Sequence, residues 1–343
     1  MALSQKQYQQ IKDELDNCKN PLYFFDDDPD GLSSFLLLYR YKKEGHGVIV
    51  KTHPKLDNRS IPRVNEYDPD KIFVLDVAKL EQEFIDNAKR PVIWVDHHGP
   101  YERTSVKYFN PRIEKKEDNF PTTYLCYNVV KQDLWIAMVG CTADYYTPDF
   151  IEEFKKKYPD LINNKSLVED IYFKTKVGIL VKIFSFSLKG KPSDVMKNIK
   201  VLTRVQSPYE ILNQETAQGK FIFKRYEKIN KMYRDLLEEA TGNVGKGRFL
   251  VFTYEDSKMS FTGDLANELL HKYPEKIIIV GRRKGDDVRM SIRSKKTLIP
   301  KALEKALAGL EGYGGGHETA CGANINQRDF KEFINRMKLY LSP

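Results

Sequence analysis

Pro21-Leu22-Tyr23-Phe24-Phe25-Asp26-Asp27-Asp28-Pro29-Asp30-Gly31-Leu32-Ser33-Ser34-Phe35-Leu36 opens as an apolar run, breaks into four carboxylates within five residues, and closes on a second apolar run. It reads as a strand, a tight acidic loop and the start of a helix. Four like charges so close repel one another strongly unless something cationic sits among them. A solvated loop does not explain why they follow an apolar strand, whereas a metal ion does.

The same arrangement recurs downstream. Lys71-Ile72-Phe73-Val74-Leu75 delivers Asp76, Val92-Ile93-Trp94-Val95 delivers Asp96-His97-His98, and the apolar stretch from Leu134 to Ala143 delivers Asp144. Each carboxylate follows an apolar run of the kind that a buried parallel strand or its neighbouring helix produces. Carboxylates and imidazoles gathered at strand ends suit Mn²⁺ or a similar divalent ion, and together the segments read as a two-metal hydrolase site. Taken singly, Asp76 or Asp144 reads better as a solvated carboxylate capping a helix or turn. The set reverses that balance. Asp27 is the expected bystander and Asp26 stands between the two readings. His46, His53 and His271 have no companion at ligand spacing and read as surface or structural.

Between these segments the first half alternates strands, at 22–25, 48–52, 72–75, 92–95 and 106–109, with helices over 33–43 and 80–89. This βαβ alternation predicts an α/β fold with a parallel, doubly wound sheet and ligands at the carboxyl ends of its strands. The expected domains are a catalytic domain over 1–190, a helical connector over 191–243 and a smaller C-terminal α/β domain with a mixed sheet over 244–343. In the connector, Tyr226, Ile229, Tyr233, Leu236 and Ala240 recur at helical spacing and read as a packing stripe. Strands are expected at 248–254, 276–281 and 288–293, and helices over 263–272, 300–308 and 328–341. Gly314-Gly315-Gly316 before His317 permits close backbone approach, and its N–H groups, followed by a helix, could cradle an oxyanion.

Length and composition describe a globular chain: 343 residues suffice for two cores, with 41% hydrophobic and 30% charged residues. No run has the length of a membrane span and the N-terminus lacks the apolar core of a signal peptide, so a cytoplasmic location and no membrane partner are expected. Cys18, Cys126, Cys141 and Cys321 form no Cys-x-x-Cys pair and read as reduced, buried thiols. The net charge of +8 must lie away from the acidic segments, and Gly281-Arg282-Arg283-Lys284 and Arg289 to Lys296 concentrate part of it. A basic wall suits a phosphodiester backbone, although lysine-rich surfaces also serve solubility alone.

With these motifs in this order, the chain resembles the DHH phosphoesterase superfamily, and within it the compact archaeal RecJ-like nucleases. The resemblance rests on Asp26 to Gly31, Asp76, Asp96-His97-His98, Asn110-Pro111-Arg112, Asp144 and Gly314 to Gly322. It implies that Asp28 binds a first metal, that Asp30, His97 and Asp144 bind a second, and that Asp76 bridges them. Mn²⁺ is the expected ion, with Mg²⁺ as the alternative. His98 would face the substrate phosphate, with Asp96 orienting an imidazole. Many members carry a histidine ahead of the Asp-x-Asp pair where this chain has Phe24, so Asp26 or water would complete the first site. Ser291, Arg293, Gly315, Gly316 and His317 would bind the nucleotide part of the substrate, with Arg293 adding electrostatic stabilisation from the second domain. The implied activity is exonucleolytic hydrolysis of single-stranded DNA or RNA to mononucleotides by two-metal activation of water, with catalytic Asp76 and His98. Two alternatives are a phosphodiesterase for short oligonucleotides or cyclic dinucleotides and an inactive scaffold in a replication or repair assembly. Replication or repair proteins are accordingly expected partners beside the nucleic acid itself. A DHH-type pyrophosphatase fits less well, because the glycine pattern before His317 belongs to the other branch.

Overall fold

The run from Leu22 to Phe25 shows no polar alternation because it lies inside a parallel sheet, and all four side chains are fully buried in the computed structural model of the protein. The structure describes residues 2–51, 55–163, 165, 167–242, 244–255 and 259–341. His53 and the last residue of the strand expected at 48–52 lie outside the described residues. The chain divides into two units, Met1–Tyr226 and Glu227–Pro343.

The first unit begins with α1 (Gln5–Asp16), β1 (Pro21–Asp26), α2 (Pro29–Lys42) and β2 (His46–Val50), followed by a short strand β3 (Lys55–Leu56) and α3 (Ile61–Tyr67). Next come β4 (Lys71–Leu75), β5 (Lys79–Leu80), α4 (Gln82–Ala88), β6 (Val92–Val95) and β7 (Lys107–Phe109). The main sheet has the order β2-β1-β4-β6-β7 with every pair parallel, and β3 pairs with β5 separately. Alternation along each strand divides the core into two layers. Tyr23, Phe25, Phe73, Leu75, Ile93 and Val95 enter one cluster with α2 and the later helices, while Leu22, Phe24, Ile72, Val74 and Trp94 enter the other with α3 and α4.

Helices α5 (Thr122–Val130) and α6 (Leu134–Ala143) pack against α2. The stretch before Asp144 is thus a helix, of the two forms its apolar character allowed. After α7 (Ile151–Lys157), α8 (Pro159–Ile162), α9 (Val168–Lys174), α10 (Lys176–Ser187), α11 (Pro192–Leu202) and α12 (Pro208–Leu212) comes α13 (Ala217–Gly242). In α13 the expected stripe is inward-facing: Ile229, Tyr233 and Ala240 are buried, and Tyr226 and Leu236 are partly so. Arg40 on α2 forms a bidentate pair with Asp133 at 2.7 and 2.8 Å and also donates to the carbonyls of Thr203 and Val205, joining α2 to the start of α6 and the segment after α11.

The second unit comprises α13 from Glu227 onward, β8 (Phe249–Glu255), α14 (Thr262–Lys272), β9 (Ile277–Lys284), β10 (Asp287–Arg293), α15 (Pro300–Leu307), β11 (Gly312–Gly316), β12 (Ala320–Asn326) and α16 (Phe330–Leu341). Its sheet order is β11-β12-β10-β9-β8, parallel only between β8 and β9. Here the structure corrects one expectation. The glycine run leads into a hairpin with β12, not into a helix. Backbone proximity explains it: a Cβ at Gly312 would lie 2.6 Å from Asn324 O, and one at Gly314 only 2.9 Å from Gly322 O. Glycine lets β11 lie against β12, and a strand whose one side chain is Tyr313 has no hydrophobic period to betray it.

Candidate metal centre

Local sequence places each carboxylate at an element end. Asp28 is the N-cap of α2, its Oδ1 accepting from Gly31 N–H at 2.9 Å, and Pro29 occupies the first helical turn, where a missing N–H costs nothing. Gly31 is needed for close approach, since a Cβ there would lie 2.7 Å from the backbone N and O of Asp26. Asp76 follows β4 with φ +60°, a left-handed conformation that Asp tolerates better than most side chains, and its N–H donates to Val95 O at 3.0 Å. Asp144 is the C-cap of α6. The carboxyl ends of β1 and β4 are adjacent where the strand order reverses, the position at which α/β sheets bind ligands.

The structure brings these residues together in three groups whose ligand atoms lie within 4.8 Å of one another: Asp26, Asp28 and Asp76; Asp30, His97 and Asp144; and Asp76, His97 and His98. His97 Nε2 lies 3.3 Å from oxygens of both Asp76 and Asp144 and 3.9 Å from Asp30. Asp27 belongs to none of the three. It lies 3.7 Å from Lys51 Nζ, and its carboxyl is pushed up to about 6 by burial, which Lys51 and Lys189 partly offset.

Burial raises the carboxyls of Asp26, Asp30, Asp76 and Asp144 above the ordinary range, and neighbouring carboxylate charges add to the effect. Burial pushes His97 the other way, toward the neutral form. With Nδ1 donating to Asn119 Oδ1 at 3.1 Å, neutral His97 keeps its Nε2 lone pair toward the carboxylates. Both features fit divalent ions. Oxygen donors that repel one another and a neutral imidazole with an inward lone pair form a donor set that a cation completes. The third group, Asp76, His97 and His98, links the other two through Asp76 and His97.

His98 differs from its neighbour. Its Nδ1 is 2.8 Å from Asp96 Oδ1, and Asp96, fully buried, also accepts from His98 N–H, Tyr108 OH and Asn110 Nδ2. Burial alone would lower His98, but the hydrogen bond and charge of Asp96, with Asp144 and Asp28 nearby, raise it to about 9. His98 is therefore a cation at neutral pH in the metal-free protein.

Several functional partners carried no sequence signal. Asp30 accepts from the N–H groups of Thr122 and Thr123 at 2.9 and 2.7 Å, placing its charge at the N-terminus of α5, and Thr122 Oγ1 donates to Asp76 at 3.0 Å. Backbone donors have no residue identity to read. Only the Asn110-Pro111 turn was visible beforehand, and Asn110 proves to bind Asp96, His98 O and Tyr108 OH.

In the second unit Ser291, Gly322 and Gly315 form one cross-strand row, and Arg293 pairs with Ala320, whose carbonyl accepts from His317 N–H. Arg293 donates to Asn267 Oδ1 at 2.8 Å and to the carbonyls of Ile292 and Cys321. Gly316 closes β11 at φ +148°.

The sequence matches the model of the DHH family N-terminal domain over residues 22–162 and that of the DHHA1 domain over residues 246–342. No curated protein matches it. Among solved structures, RecJ from Thermus thermophilus in complex with Mn²⁺ superposes with a TM-score of 0.70 at 15% identity, over 99% of this chain and 55% of that one. This chain thus spans about half the length of that relative. An exonuclease RecJ bound to manganese gives 0.64 at 14% identity over 99% and 95% of the two chains. CDC45 from Entamoeba histolytica gives 0.56 at 10% over 98% and 99%. At such identities the likeness is one of fold.

Proposed function

We propose that this chain, which belongs to the DHH superfamily of phosphoesterase hydrolases and carries a DHHA1 domain behind its DHH domain, is a RecJ-like exonuclease that shortens single-stranded DNA or RNA. The convergence of two carboxylate-rich triads on Asp76 and His97 carries the reading. Asp26, Asp28 and Asp76 would hold one divalent ion and Asp30, His97 and Asp144 another, with Mn²⁺ the preferred ion and Mg²⁺ the alternative. Bound there, the ions supply a nucleophilic water at neutral pH and neutralise phosphate charge.

The protein's own groups do the rest. Thr122 fixes the rotamer of Asp76, and the N–H groups of Thr122 and Thr123 hold Asp30. Asn119 selects the His97 tautomer. His98, held through Nδ1 by Asp96, would face a phosphate oxygen and stabilise charge that grows in the transition state. In the second unit Ser291, Arg293, Gly315, Gly316 and His317 would receive the nucleotide, the glycines through close backbone approach.

The test is product release from end-labelled single-stranded DNA, single-stranded RNA and a linear dinucleotide, each with Mn²⁺, Mg²⁺ or chelator. Asp76→Ala serves as the blank and should abolish hydrolysis while the fold persists. Stepwise, metal-dependent shortening of the long strands is the expected result. Turnover of the dinucleotide alone moves the protein to short substrates, and retained turnover by Asp76→Ala overturns the assignment.

A further inference from the structure

We propose that Arg112 is a substrate-positioning residue of the first unit, which holds the phosphate next to the one hydrolysed and so fixes the strand across the metal centre. This role rests on the nuclease reading.

Sheet order puts Arg112 beside the centre. Every pair in the main sheet is parallel and β7 is the neighbour of β6, so the segment after Phe109 leaves the sheet on the same side as Asp96-His97-His98. One strand interval, about 4.8 Å, separates the two strand ends. The segment is then tied to the centre at both ends, because Asn110 donates to His98 O at 2.9 Å and to Asp96 Oδ2 at 3.2 Å, Asn119 binds His97, and Thr122 donates to Asp30 and Asp76. Arg112 is joined to the first of these anchors. Its N–H donates to Asn110 Oδ1 at 2.9 Å.

The side chain is fixed yet keeps its fork. Arg112 Nε–H donates to Lys116 O at 2.9 Å, which holds the guanidinium across the turn. Glu114, Glu117 and Asp118 lie within six residues of it, yet among the described residues no carboxylate pairs with Arg112, and Asp118 lies instead 3.4 Å from Lys115 Nζ. Its two Nη groups have no acceptor among the described residues and are not buried, so they face water. An arginine that serves the fold alone looks different: Arg40 directs Nε and both Nη groups to Asp133 and to the carbonyls of Thr203 and Val205.

Chemistry and position name the occupant. Paired Nη–H groups match the oxygens of a phosphate, and a guanidinium already held through Nε loses little freedom when the anion arrives. Arg112 lies one strand beyond the histidines, whereas the carboxylates of β1 and β4 lie on their other side. A phosphate at the metals is thus within the province of His98, and its neighbour along the strand falls to Arg112.

The full-length protein loaded with Mn²⁺ is titrated by fluorescence anisotropy with a six-residue thymidine strand, phosphorothioate-linked to resist hydrolysis, at several salt concentrations, and by competition with thymidine monophosphate, whose one phosphate goes to the metals. Arg112→Gln should weaken strand binding about tenfold and lower the salt slope by about 0.7, with thymidine monophosphate affected far less. Arg112→Lys should restore the slope but only part of the affinity, since an ammonium keeps the charge and loses the fork. With a cleavable strand the loss should appear in KM more than in kcat. A residue that only braces the turn would give equal losses in the Lys and Gln variants and would weaken thymidine monophosphate as much as the strand. That result, or wild-type affinity and slope in Arg112→Gln while the parent still degrades strands, overturns this role alone. A parent that neither binds nor shortens the strand overturns the nuclease reading itself.

Discussion

Replacing Asp76 with Asn should stabilise the metal-free protein. Asp76 is fully buried, and its ligand oxygen lies within 4.8 Å of those of Asp26 and Asp28. At that separation and an effective dielectric of about 20, each ionised neighbour repels it by about 3 kcal/mol. The cluster relieves part of this by taking up protons, in keeping with the raised carboxyls of Asp26 and Asp76, so a net gain of about 3 kcal/mol at pH 8 is expected instead of twice that. Asn keeps the shape, tolerates φ +60°, and still accepts from Thr122 Oγ1. For a unit of this size the gain corresponds to about 6–12 °C in melting temperature.

The pH dependence has a definite sign. A carboxyl raised in the folded state contributes stability that is fully present below its unfolded value, about 4, and is lost as pH rises through the folded value. The advantage of Asp76→Asn should therefore shrink as pH falls toward 4. Adding Mn²⁺ should reverse the order, since the parent gains about 4.1 kcal/mol at a thousandfold excess over its Kd while the variant has lost the Asp76 charge from its triad with Asp26 and Asp28. Thermal melts in chelator and in Mn²⁺ across this pH range measure all three effects. A variant less stable than the parent in chelator at pH 8 would refute the repulsion on which the metal-site assignment leans.

Two further outcomes follow from individual hydrogen bonds. Asp30→Ala should destabilise the metal-free protein by about 1–3 kcal/mol in denaturant melts, because it strips the N-terminus of α5 of an acceptor for two N–H groups; a stabilised variant would show that repulsion outweighs this cap. Asp96→Asn should bring the His98 titration in metal-free protein, followed by NMR, from about 9 to its ordinary value or below, since burial then acts without the opposing carboxylate. An unchanged titration would mean that Asp144 and Asp28, not Asp96, hold the proton.

What the sequence disclosed and what it concealed differ by physical type. Asp28, Asp76 and His97 were legible because each ends an apolar run, and the sheet gathers its strand ends on one side. The partners of Asp30 were not, because Thr122 and Thr123 lie some ninety residues away and act through backbone N–H groups that any residue supplies. Strands β4 and β6 announced themselves by unbroken burial, whereas β11 is glycine-rich and wholly exposed, so neither burial nor alternation marks it.

Asp30 and Asp76 show how one centre reconciles folding with charge. Both are fully buried and both face His97. Asp30 is stabilised by the fold itself, through two N–H groups at a helix N-terminus. Asp76 has a single hydroxyl donor against the charges of Asp30, Asp28, Asp144 and Asp26. The fold thus secures one carboxylate before any ion arrives and leaves the other dependent on one. A residue placed to join both triads is the one whose charge the protein alone does not satisfy, so metal affinity is drawn from repulsion already present in the folded chain. That ties the two halves of the Asp76→Asn experiment: stability gained without metal and affinity lost with it should come from the same interaction, and should be of similar size.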